Sequence, residues 1–364
     1  MIRILFALMI SKGYSQKNFS SVEKLNFDHN HKDMILSTLD TLLSQVKIGN
    51  IDNELIYKED QLTKRELESL KGYDTFEKKL LNLYPLTDNK FSLTIAFFNL
   101  SKNLICLYTL TCIDENQAIK FYNSLYENTN NWKKEIIGNI TYYYKSKIDK
   151  VNATNFNAKN EQIAKKLGVP VEKFNFYLTD NYQQILCLLG YQYDAGENGK
   201  YRDGYGVIEN NIFAIQGNED FSHDIFHYYS GKTNKTRNRI SEEGIAYLWG
   251  NAYYTDSNKK MIPLSELVLE LKKYMAAHPE QALLELFEKD MKVFDTIAKE
   301  ISVRSVISGI LIKEIEKKNG MTGISKMITC GEKMQEFMAE LDLQLKINKE
   351  NFNAEVTKLI QAYN

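Results

Sequence analysis

Two histidines four residues apart, His223 and His227, lie in the stretch Asp220-Phe221-Ser222-His223-Asp224-Ile225-Phe226-His227-Tyr228-Tyr229. Four residues is close to one helical turn, so a helix would project both imidazoles from the same face. Such a pair supplies two nitrogen ligands to one metal ion, and the third must come from elsewhere. The next amphipathic stretch, Ile240-Ser241-Glu242-Glu243-Gly244-Ile245-Ala246-Tyr247, offers it in Glu243. Structural zinc sites close with four protein ligands, whereas catalytic ones use three and leave a position for water. His223, His227 and Glu243 make a three-ligand, open set for one Zn2+ ion. The alternative is a packed, hydrogen-bonded histidine pair. The chain has only five histidines: His29, His31, His223, His227 and His278. An i, i+4 pair with an acid after the first member, then a Glu-Gly-x-Ala helix, favours the metal.

These residues resemble the gluzincin superfamily of zinc metallopeptidases, in particular its peptidase-MA-like branch. Members carry His-Glu-x-x-His on one helix and Glu-Gly-x-Ala on the next. The resemblance implies that His223, His227 and Glu243 hold zinc, and it places Asp224 where the family has its general-base glutamate. Glu242 falls where the family often has Ser or Asn. The likeness spans roughly residues 138–364, and its specific part is His223–Tyr247. It further implies a helical half behind the zinc helices, and a sheet whose edge strand pairs with the substrate backbone.

His-Asp-x-x-His departs from the family pattern in a way that has a physical meaning. A base that takes a proton from the attacking water must sit within about 2.6–3.2 Å of it. Aspartate is one methylene shorter than glutamate, so from the same backbone position it falls short. Either the helix sits closer to the reacting centre, or a second water relays the proton, or proton transfer is impaired. An oxyanion donor is also needed. Tyr253, in Ala252-Tyr253-Tyr254 just past the glutamate helix, is the candidate, with a core aromatic as the alternative.

The rest of the chain must position these groups. Its 364 residues suffice for two or three domains. With a net charge of −1, bulk composition gives no electrostatic reason to expect nucleic acid or an anionic membrane as partner. Residues 1–15 read as an export signal: Arg3, the apolar run Ile4–Ile10, then Gly13-Tyr14-Ser15 before Gln16 as mature start. A buried N-terminal strand is the alternative. No later run is long and apolar enough to span a bilayer. Cys106, Cys112, Cys187 and Cys330 show no metal spacing and read as free thiols.

Residues 16–135 form an antiparallel α+β module of unknown role. A helix carries Met34, Ile35, Leu39, Leu42, Leu43 and Val46, and a second opens at Leu62. Strands over 91–98 and 104–110 form a hairpin about Ser101-Lys102-Asn103, and Asp114 caps a helix from Glu115 to about Tyr126. Residues 136–364 form the gluzincin-like module, again α+β. Strands are expected at 140–144 and 174–178, and helices at 160–167, ended by Gly168, and at 182–189, capped by Asp180. Gly204–Ile215 reads as two strands about an Asn turn, either the cleft's edge strand or an ordinary hairpin. The basic linker Gly231–Arg239 is a solvated loop or an attractor of acidic substrate. Helices follow from Ile262 onward. One face holds Leu264, Leu267, Leu271 and Tyr274, and the next helix starts at Pro279. Another runs from Ser302 to Glu316, with Ser305, Ser308 and Gly309 suited to close packing and Asn319-Gly320 breaking it. Arg304 forms a structural salt bridge or points into the cleft. The chain thus reads as an exported, zinc-dependent peptidase acting on peptides or proteins. The alternative is a peptidase fold that lost efficient catalysis and kept its cleft for a peptide or protein partner.

Overall fold

The computed structural model describes residues 18–22, 31–202, 204–255, 260–295, 297 and 300–363, with backbone alone for 253–255 and 260. The expected export signal lies outside the described residues. The fold class is α+β, and the chain divides into two compact units. One takes the chain up to Asn130 together with Leu186–Gly199; the other takes Asn131–Ile185 and everything from Lys200 on. Among the described residues no helix is long and apolar enough to cross a membrane. All four cysteines are free, Cys106 and Cys112 buried, Cys187 and Cys330 half-buried.

In the first unit, strands Glu77–Pro85, Lys90–Phe98, Leu104–Glu115 and Ala118–Asn123 run as an antiparallel meander. Alternation buries Phe91, Leu93, Ile95 and Phe97. Helix Lys32–Ile48 buries Ile35, Leu39, Leu42, Leu43 and Val46, as their spacing predicts, and Gly49 ends it in the left-handed conformation. The helix expected from Glu115 to Tyr126 is not formed. The chain turns at Asn116 and Gln117, both with positive φ (56° and 67°), and returns as a strand. Two such residues make the hairpin turn whose twist matches the strands it joins. Asp114 Oδ1 accepts the Gln117 N–H at 2.8 Å, so it caps a turn and not a helix. Tyr191–Asp194, from much further along the chain, adds to this sheet antiparallel to Leu104–Glu115.

Glu66, on helix Gln61–Ser69, is 3% exposed, and its Oε2 has no hydrogen-bond partner. Burial pushes its carboxyl from 4.5 up to about 7, against a hydrogen bond from Tyr191. Between those values the folded chain keeps a proton that the unfolded chain has lost, so stability falls as pH rises. Glu66→Gln stays neutral throughout. It is expected to exceed the wild type by up to about 3 kcal/mol near pH 8 and to match it near pH 4. Urea melts at both pH values measure this, and a gain independent of pH would contradict it.

The second unit holds a five-stranded sheet in the order Gly204–Ile208, Asn211–Ile215, Phe174–Thr179, Ile140–Tyr144, Lys133–Ile137. The three central strands are parallel, and each outer strand is an antiparallel hairpin partner. Gly204–Ile208 is therefore an edge. Helix Lys150–Leu167 makes the crossover between two parallel strands. It starts ten residues before the expected Asn160 because Asp149 accepts the N–H groups of Val151 and Asn152. Helix Tyr182–Leu188 is capped by Asn181, whose Oδ1 accepts from Gln184 N, and not by Asp180.

Beyond the sheet come Ser222–Thr233, Arg239–Trp249, Leu264–Ala277, Leu283–Glu288, Val303–Thr329, Met334–Leu345 and Phe352–Ala362. The helix expected at Pro279 begins only at Leu283. Gly320, with φ of 56°, breaks the long helix Val303–Thr329 where Asn319-Gly320 stands. Helix Arg239–Trp249 crosses the long helix at Gly244. A Cβ there would lie 2.7 Å from the Ser308 carbonyl carbon, and Ser308 Oγ donates to the Ile240 carbonyl at 2.7 Å. Small residues thus let the helix that carries Glu243 seat against the core.

Candidate metal centre

Helix Ser222–Thr233 buries Ile225, Phe226, Tyr229 and Ser230, which turns His223, Asp224 and His227 to the half-exposed face. Asp220, 4% exposed, anchors its start. Its Oδ1 accepts the Ser222 N–H at 3.0 Å, and its Oδ2 lies 2.7 Å from Lys159 Nζ. Helix Arg239–Trp249 starts at the fully buried Asn238, whose Oδ1 accepts from Ser241 N. Gly250 ends this second helix against the first: a Cβ there would lie 2.8 Å from His223 N. The two helices are therefore locked together close to the ligands.

His223, His227 and Glu243 come together as a group that could hold a metal ion. The two Nε2 atoms are 3.3 Å apart. Glu243 Oε2 is 3.5 Å from His223 Nε2, and its Oε1 is 3.5 Å from His227 Nε2. Donors held at about 2.0–2.1 Å around one tetrahedral ion stand about 3.3 Å from each other; the two nitrogens meet that spacing, each carboxylate oxygen faces one of them, and one donor atom from each residue lies within 4.8 Å of the others. Both other ring nitrogens have partners behind them. His223 Nδ1 lies 3.3 Å from the Asn251 carbonyl, and His227 Nδ1 lies 3.9 Å from Glu242 Oε2. The first is a hydrogen bond of the kind that turns Nε2 toward a metal; the second, beyond hydrogen-bond reach, is electrostatic only.

The electrostatics favour ligation at His227 and Glu243 and set a proton in competition with the metal at His223. Burial, then the neighbouring His223, pushes His227 down to about 4, so it is a neutral ligand near neutral pH. Burial also opposes charge on His223, but Glu243 and Asp224 outweigh it, and the imidazole is held above its ordinary value. Burial raises Glu243, but its contacts with His223 and then His227 outweigh that and keep it ionised. Asp224 is raised by burial and by the charge of Glu243, against the pull of His223.

Asp224 lines a cavity of about 290 Å³ together with His223, Glu243, Tyr247 and Asn251. The Tyr253 side chain lies outside the described residues; its backbone belongs to the short strand Tyr253–Thr255. Tyr247, one turn after Glu243, holds its ring 5.4 Å from that of His223. Arg304 is structural, donating to the carbonyls of Phe287 and Glu288 at 2.8 and 2.6 Å and lying 3.4 Å from Asp290.

Three supporting residues escaped the sequence reading: Asn251, Glu242 in its role behind His227, and Tyr247 at the cavity. Glu242 is buried and held by Arg237 Nη1, 3.1 Å from both of its oxygens. Asn251 Oδ1 accepts the His223 N–H at 3.3 Å, while its Nδ2 donates to the Asp220 carbonyl at 2.8 Å. Only the adjacency of Glu242 to Glu243 was a sequence signal; Asn251 meets His223 through the fold alone. Asn251→Leu keeps the carbonyl behind His223 Nδ1 and loses only the side-chain bonds to His223 N and the Asp220 carbonyl, so it is expected to weaken metal binding by up to about 10-fold. Competition titration against a chelating dye measures this, and an unchanged affinity would remove the Asn251 side chain from the support of the site. In comparisons with known proteins, the chain matches no family model and no curated sequence.

Proposed function

We propose that this chain is an exported, zinc-dependent metallopeptidase of the gluzincin kind. The observation that supports it most is the triangle of His223 Nε2, His227 Nε2 and a Glu243 carboxylate, with edges of 3.3–3.5 Å. Two imidazoles and one carboxylate suit zinc, and three protein ligands leave the open position that catalysis requires. Zinc bound there would supply Lewis acidity, polarising a carbonyl and acidifying water. Asp224, on the wall of the same cavity, accepts the proton from the attacking water and returns it to the leaving amine. Its raised proton affinity brings it closer to the range in which a base can do both. Tyr247 lines that cavity beside His223 and, in this reading, takes the role of donor to the developing oxyanion.

Substrate placement follows from the sheet. Gly204–Ile208 is an edge strand, and an extended peptide can add to such an edge through its backbone. Tyr228, next to His227, donates to Asn210 Oδ1 at 2.6 Å, which ties the histidine helix to the turn of that hairpin. The test is elemental mass spectrometry of the purified chain beside a peptide-library digest read by mass spectrometry. About one zinc per chain and chelator-sensitive cleavage are expected. No zinc, even after addition at neutral pH, would end the proposal.

One observation favours a second reading, a peptidase fold kept for binding a peptide or protein. Asp224 is a methylene shorter than the family's glutamate, and its carboxylate turns back to bond its own backbone N–H.

A further inference from the structure

The loop between the two ligand helices and the first residue of the second helix carry three cations, Lys235, Arg237 and Arg239, into one cavity of about 610 Å³ that reaches His227 and Glu243. They are not equivalent. Arg237 is neutralised by the buried Glu242. Lys235 and Arg239 make no ion pair and no side-chain hydrogen bond among the described residues. With Glu242 paired and Glu243 turned to the histidines, Glu332 is the one acid left on that wall. Arg239 also lines a second cavity, of about 420 Å³, on which Glu243 again stands. The other cations there, Lys292 and Arg304, are paired with Glu300 and Asp290. Two unpaired positive charges thus converge on the cleft at the metal position, and one of them stands where two cavities meet.

We propose that Lys235 and Arg239 form a carboxylate-reading subsite, so that preferred peptides bring a negative charge to the His227 side of the cleft. The inference rests on the peptidase reading of the same site. A guanidinium matches a carboxylate with two parallel hydrogen bonds, and an ammonium adds a second, less directional charge. The carboxylate comes from an Asp or Glu side chain or from a free C-terminus. Both cations are exposed, so the effect is moderate and screened by salt.

Fluorescent hexapeptides separate the two sources: one core with Glu or with Gln, each ending in a free or an amidated C-terminus. Their binding is followed by anisotropy, at low and raised salt, with the full chain as purified and again after chelation. Chelated protein cleaves nothing and offers no metal to the carboxylate, so the preference is read apart from activity. Zinc stoichiometry, measured in parallel, tests the peptidase reading on its own. The expected result is about 10-fold tighter binding of the carboxylate peptide at low salt, in both states of the protein. In Lys235→Gln, Arg239→Gln the preference should vanish while zinc content and melting temperature stay. Arg239→Lys should keep part of it. The Glu/Gln and acid/amide arms then say which carboxylate is read. Equal binding of charged and neutral peptides by the wild type, no binding of any carboxylate peptide, or an undiminished preference in the double variant would each overturn the subsite.

Discussion

The double variant His223→Ala, His227→Ala is expected to fall from about one zinc per chain to less than about a tenth, and to lose all chelator-sensitive cleavage with it. Both imidazoles aim Nε2 at the same point, so either substitution leaves one nitrogen and one carboxylate, and both together leave Glu243 alone. Folding should survive. Each histidine is half-exposed, and the helix is held by Ile225, Phe226 and Tyr229, all at most 1% exposed, and not by its ligand face. Removing the pair also removes the 3.3 Å hydrogen-bond contact between the two Nε2 atoms, a small loss beside that packing. Thermal stability gives a second readout. A ligand that binds only the folded chain adds about 2.7 kcal/mol at a hundredfold excess over its dissociation constant, so zinc should raise the wild-type Tm and leave the variant's unmoved. Zinc retained by the double variant would place the metal elsewhere.

Where contacts are local, the sequence was legible. Imidazoles four apart on a helix must share a face, and a Glu-Gly pair on the next amphipathic stretch supplies a carboxylate beside a gap that a neighbouring helix can fill. Ser308 fills that gap. Helix Lys32–Ile48 and the strands about Ser101 follow from period alone. What failed depends on backbone conformation or on distant chain. Asp114 is as good a cap for a turn as for a helix, and nothing local signals that Asn116 and Gln117 both take positive φ. Tyr191–Asp194 joins a sheet whose strands lie some eighty residues earlier, a pairing no local pattern encodes. Asn251 holds His223 with its own carbonyl as well as its side chain, and a carbonyl leaves no mark in a sequence. Glu242 is a different case. Its spacing from Glu243 was visible, but only the fold shows that adjacent residues on the helix reach both sides of His227.

Asp224 decides between the two readings of the cleft, and Asp224→Asn is expected to lower kcat/KM by about 10²–10⁴-fold with zinc fully retained. The expectation follows from position. Asp224 shares a cavity wall with His223 and Glu243, and burial together with Glu243 raises its proton affinity above that of an ordinary aspartate. A carboxylate base works only when ionised, so the acid limb of the wild-type pH profile should lie above 3.8. The asparagine variant should lose that limb with its activity, while a merely structural aspartate would leave the limb in place. Asp224→Glu restores the missing methylene and reads the same question from the other side. If the wild type already cleaves, the longer side chain overreaches a site built for the shorter one, and the rate should fall or stay level. If the wild type binds zinc but cleaves nothing and Asp224→Glu alone cleaves, the fold holds a cleft without a working base. The peptidase proposal then gives way to a module that binds peptides, and the zinc site becomes the part of the enzyme that outlasted its activity.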